Sequence, residues 1–275
     1  MPPELFFILS LALKMAVTAG FVVAAAMIAE RVSPAIGALV ATLPIAAGPA
    51  YVFLALDHDS AFIARSALGS IAAHAATGAF SLVYVVLAQS RGMVASVSIA
   101  VAVWFLVAFL LRSVEWTFVG VASLNLAVFG CCIVLTSRYR HVPMPMVGRQ
   151  WYDVPLRALM VAGLVATVIG LSGQVGPVVT GLLAVYPIVL TSLMLIFHPR
   201  IGGPATAALI ANTFWGLIGF SACMFTVHLA TVPFGTPIGL TLALGVSIVW
   251  NLSLWGVNRR LRARAVNRSS SSPRV

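Results

Sequence analysis

Nine runs of predominantly apolar residues, roughly 5–29, 34–56, 61–88, 93–111, 116–136, 154–172, 177–197, 204–230 and 237–257, take up most of the chain. Each is long enough to cross a bilayer as a helix, which takes about 20 residues at 1.5 Å rise. Only helices and closed barrels satisfy every backbone group in lipid, and runs this long lack the alternation of a barrel strand. An all-α, polytopic membrane protein follows. Composition closes off the alternatives: 61% of the 275 residues are apolar and 8% are charged, against about 25% charged in a soluble domain. That excludes a cytosolic enzyme, a secreted disulfide scaffold and a nucleic-acid binder, despite a net charge of +10. Cys131, Cys132 and Cys223 lie in apolar runs without metal-ligand spacing and read as buried free thiols. The opening MPPELFF has no basic n-region, and Lys14 interrupts the apolar stretch behind it, so no cleaved signal peptide is expected.

Basic residues set the expected orientation. With the N-terminus outside, the inner loops and tail hold Arg31, Arg91, Arg138, Arg140, Arg149, Arg200, Arg259, Arg260, Arg262, Arg264, Arg268 and Arg274. The outer loops hold only Arg65 and Arg112, together with Glu4, Asp57, Asp59 and Glu115. The C-terminus is then cytoplasmic and the protein resides in the cell inner membrane. The polar, basic segment 137–153 is the natural joint, and 258–275 reads as a basic disordered tail.

An internal repeat organises the rest. SPAIGALVATLPIAAGP (33–49) superposes without a gap on GPVVTGLLAVYPIVLTS (176–192) at an offset of 143. Pro34 meets Pro177, Leu39 meets Leu182, Ala41 meets Ala184, Pro44 meets Pro187 and Ile45 meets Ile188. Carried backwards, the offset lays Ala19 on Ala162, Gly20 on Gly163, Val22 on Val165, Val32 on Val175, and Lys14 on Arg157. The expected organisation is a four-helix repeat over 1–112, a bridging helix at 113–136, a cytoplasmic linker at 137–153, and a second four-helix repeat over 154–257. The unpaired fifth helix makes the copies enter from opposite faces, the inverted-repeat design of many secondary transporters.

Function is expected where polar groups interrupt apolar helices. Lys14 lies about nine residues into its run, and Arg157 takes the matching place; ionisable groups at such depth are costly and functional by default. Together they could hold an anion, Arg through a bidentate fork and Lys as a point charge. The competing reading pairs Arg157 with Asp153, one turn before it. Lys14 has no acid within helical reach. Pro44 and Pro187 each remove a backbone donor near the middle of a run, and paired interruptions of this kind point to a transporter site. No Asp or Glu occupies the core of a run, so an anionic or neutral solute fits better than a cation. His74 is the one imidazole at a depth suited to proton coupling, with a packing role as its alternative. Asn125, Asn212 and Asn251 are candidates for lining or for interhelix hydrogen bonds, and GSIAAHAATGA (69–79) reads as close helix packing. There is no GxSxG, HExxH, P-loop, GxGxxG or carboxylate pair, so no enzyme is expected and neither cofactor nor metal is implied.

Lys14 with GALVATLP (37–44), and Arg157 with GLLAVYP (181–187), resemble the basic first helix and G-L-x-x-x-x-P second helix of the small GlpM-type bacterial membrane proteins, with Ala38 departing from the pattern. The resemblance covers about 35 residues per half and implies a duplicated small module without naming a substrate. The expected function is secondary transport around Lys14, Pro44, Arg157, Pro187, His74 and Asn212, with a channel or a non-transporting assembly factor as the alternative. Its partners are the lipid bilayer and a small-molecule solute; a coupling ion and homo-oligomerisation stay open, and nucleic acid is excluded.

Overall fold

The structure, a computed structural model, describes residues 3–31, 47–142, 145 and 150–270. Among these the chain is helical and contains no strand. The helices are α1 (Pro3–Arg31), α2 (Ala47–Asp57), α3 (Ser60–Leu87), α4 (Met93–Leu111), α5 (Phe118–Leu135), α6 (Asp153–Ala184), α7 (Ile188–Ile201), α8 (Gly203–Asn212), α9 (Phe214–Phe234) and α10 (Thr236–Ser270), with a short 3-10 turn at Ser137–Tyr139. Among the described residues, six stretches are long and apolar enough to cross a membrane: α3, α4, α5, α6, α8 with α9, and α10 over Thr236–Val257. Shorter apolar helices occupy Ile8–Ala24, Ala47–Asp57 and Ile188–Ile201. Pro44 and most of the first repeat copy, residues 32–46, lie outside the described residues.

Local chemistry sets the ends of these helices. Asp59 caps α3 by accepting from the Phe62 N–H at 2.7 Å, and Thr117 caps α5 by accepting from Gly120 at 3.1 Å. Gly176 takes φ 74°, ψ 174° and breaks α6, a conformation that glycine adopts without strain. Pro177 then opens the following segment, where its missing N–H costs nothing. Gly202 and Gly235 also have positive φ and separate α7 from α8 and α9 from α10.

The core is built on α3. Its apolar window is 72% buried, against 22–39% for the other candidate spans, so protein surrounds α3 while the others turn a face to lipid. Outward positions are apolar: Leu126, Val94, Val119 and Leu159 are all exposed. Cys132 and Cys223 are buried as expected, whereas Cys131 faces outward, because neighbours on a helix point to different sides. Glycine lets two backbones meet where Pro177–Ala184 crosses α3. A Cβ at Gly69 would stand 2.6 Å from the Val178 carbonyl oxygen, and one at Gly181 would collide with the Ser66 backbone.

The offset seen in the sequence reappears in the helix starts. Ser60 and Gly203 open α3 and α8, Met93 and Thr236 open α4 and α10, and both pairs are 143 positions apart. His74 of α3 bonds to the Leu217 carbonyl of α9, its partner at that same offset of 143. Val22 of α1 and Val165 of α6, also offset partners, share one hydrophobic cluster with Ala158, Val161 and Ile169.

Candidate functional site

Lys14 does not stand without an acid. Its Nζ lies 2.5 Å from Asp57 Oδ2 at the end of α2, with the lysine side chain 13% exposed and the aspartate 40%. The expectation that Lys14 has no acid within helical reach concerns its own helix, and the fold supplies one from another. The acid comes from 43 positions away, beyond the reach of any reading of one helix. Arg157 keeps Asp153 as its neighbour, as its competing reading has it, and a second cation joins them. Asp153 is forked by Arg200, Nη1 to Oδ2 at 3.0 Å and Nη2 to Oδ1 at 2.5 Å, while Arg157 adds positive charge beside it. Tyr152 lies under the Arg200 guanidinium, 5.0 Å from its ring centre.

The two ion pairs stand at opposite ends of the first segment of α6, before its break at Gly176. His58, next to Asp57, donates from Nε2 to Ser172 Oγ at 2.9 Å, and Ser172 in turn donates to the Ile169 carbonyl. Asp153 starts the same helix, about 29 Å away along its axis. Lys14 therefore stays with the Asp57 end and Arg157 with the Asp153 end. The structure does not bring them together around one anion.

Pro187 does what its chemistry requires. Between the half-helix Pro177–Ala184 and α7, residues Val185–Pro187 leave helical geometry, and Pro187 has φ −75°, ψ 55°. The Leu183 carbonyl that Pro187 cannot serve accepts from the Tyr186 N–H at 3.1 Å instead. On either side the chain covers about 12 Å and about 21 Å at 1.5 Å per residue. Tyr186 packs edge-on to Trp104, with ring centres 5.0 Å apart. The Gly181 carbonyl, within two turns of the break, accepts from Ser70 Oγ at 2.7 Å, and Tyr51 of α2 lies 2.7 Å behind Ser70.

His74 takes its packing alternative. It is buried, donates from Nε2 to the Leu217 carbonyl at 2.9 Å, and lies between Phe129 and Phe220 with ring centres 4.8 Å away on each side. Asn212 ends α8 and donates to Ala208 and to the Arg140 carbonyl at 3.3 Å. Arg140 donates to the Ile133 carbonyl, and burial holds its pKa below the ordinary arginine value. Asn125 donates to Ile71 and Val121 and accepts from Ser221, binding α5 to α3 and α9. These asparagines act as interhelix ties.

One group of residues escapes the sequence reading. Ser66, Ser70, His74, Thr77, Ser81 and Tyr84 recur along α3 at steps of three and four, all buried, and so share roughly a quarter of the helix circumference. Ser70 meets Tyr51 and Gly181, Thr77 accepts from the Trp104 indole at 3.3 Å, and Tyr84 pairs with His198 Nδ1 at 2.8 Å. The periodicity is present in the sequence, but the small residues between these positions draw a reading toward packing alone. The chain matches no protein-family model, no curated protein and no solved structure.

Proposed function

We propose that this protein is a secondary transporter for a small solute, working by alternating access between two inverted repeats of four crossings each, bridged by α5. The reading rests on one observation, the apolar helix interrupted at Val185–Pro187. Interrupted helices expose backbone polar groups at membrane depth, which lipid tolerates only where they are enclosed or line a cavity. Inversion draws support from Asp57 and Arg200. They are equivalent under the offset of 143 borne by the His74–Leu217 contact, yet belong to ion pairs at opposite ends of the α6 segment that precedes Gly176. Under this reading Pro177–Ala184 and α7 together make one crossing, and residues 34–56 make its counterpart. The duplicated unit is read as a GlpM-type module, the N-terminus lies outside, and the C-terminus lies in the cytoplasm.

Purified protein screened by thermal shift against small anionic and uncharged metabolites is expected to yield a stabilising solute. That solute should then exchange faster into proteoliposomes preloaded with its unlabelled form. Flux without this acceleration would make the protein a channel, and a hit that never crosses would leave it a binding protein.

A further inference from the structure

We infer that the hydroxyl-bearing face of α3 lines the route of an uncharged polar solute, bound where Tyr51, Ser70 and the Gly181 carbonyl meet beside the helix break; this rests on the transport reading above. At many other helical positions hydroxyls bend back onto their own backbone, while Ser221 donates across to Asn125. Thr18 bonds the Lys14 carbonyl, Thr136 that of Cys132, Thr191 that of Pro187 and Thr206 that of Gly202. The hydroxyls on this face of α3 behave differently. Ser70 donates across to Gly181 and Thr77 accepts from Trp104. Ser66 and Ser81, both at 0% exposure, have no hydrogen-bond partner among the described residues. A buried hydroxyl left without a partner carries an uncompensated desolvation cost, and such groups call for a partner.

Their positions fit a route. Ser66 lies against Gly181, one turn before Ser70, and Ser81 lies between Thr77 and Tyr84 further along the helix. The face therefore carries hydrogen-bonding groups from one half of the crossing to the other, with both unpartnered hydroxyls flanking the binding point. Its chemistry selects the solute class. It bears no charged residue, Lys14 is matched by Asp57, and Arg200 is matched by Asp153. In this conformation Pro177–Ala184 closes the face, flanked by a glycine with positive φ at 176 and by Pro187.

Thiol labelling tests this directly. Methanethiosulfonates react with the thiolate, which forms only where water reaches. In a background with Cys131, Cys132 and Cys223 replaced by serine, single variants Ser66→Cys, Ser70→Cys and Ser81→Cys are treated with 2-hydroxyethyl methanethiosulfonate in proteoliposomes. Ala72→Cys and Ala75→Cys, buried on other faces of α3, serve as references. The three serine positions are expected to react at least about tenfold faster than the references, and 2-sulfonatoethyl methanethiosulfonate to show no such preference. Equal rates at all five positions would overturn the route. Equal reaction of the anionic reagent at the serine positions would overturn the uncharged class. Because labelling needs no turnover, a failed counterflow assay with fast labelling would count against the transport reading and leave the wetted face standing.

Discussion

Charge at single residues decides how the first helix is held. Lys14 is mostly buried, and its removal leaves Asp57 half exposed without its cation, a smaller loss than for a fully buried pair. Lys14→Glu and Asp57→Lys are each expected to lower stability by about 1–3 kcal/mol, read as thermal unfolding in detergent. The double reversal should recover most of that loss. Additive losses in the double variant would mean that the pair is incidental. Recovery would also explain why Lys14 looks like a solute ligand in the sequence. Its depth in the helix is legible there, but its partner lies 43 positions away, and only the fold connects them. Arg157 and Asp153 show the same limit: one turn separates them, yet the cation that forks Asp153, Arg200, comes from 47 positions away.

Elements show a different balance between what is legible and what is not. Apolar run length locates the helices, and proline chemistry locates the break at Pro187, because a missing N–H acts the same in any context. Hidden from that reading is the way the half-helix Pro177–Ala184 lies on α3, since backbone contact leaves no hydropathy signal. Two glycines of α6 separate these effects. A methyl group added at Gly163, paired with Gly20 in the repeat, would meet nothing within 4 Å, whereas the same addition at Gly181 collides with Ser66. Gly163→Ala is expected to be neutral or stabilising by up to about 1 kcal/mol through helix propensity. Gly181→Ala should destabilise by about 1–3 kcal/mol through overpacking. The Gly181→Ala melting temperature should therefore fall while that of Gly163→Ala holds or rises; a stable Gly181→Ala would show that the half-helix does not bear on α3 as described.

At the scale of the whole molecule, the sequence offset and the helix starts agree, and the proposed inversion places equivalent turns on opposite sides of the membrane. The turn between α3 and α4 holds Ser90, and Pro233 lies in the last turn of α9, just before Gly235. They correspond under the offset of 143 that also relates His74 to Leu217. Arg91 follows Ser90 directly, while no basic residue lies within four positions of Pro233, so the basic side of the membrane should hold the first turn. Ser90→Cys and Pro233→Cys, in the background without native cysteines, are expected to label differently with a membrane-impermeant maleimide. Pro233→Cys should react in intact cells and Ser90→Cys only after permeabilisation. A parallel duplication would put both turns on one side and label both alike, because an even number of crossings would then separate the copies. The reverse pattern would keep the inversion and overturn only the assignment of the N-terminus to the outside. Labelling on the same face would remove α5 as a crossing, and with it the geometry on which alternating access between the two repeats depends.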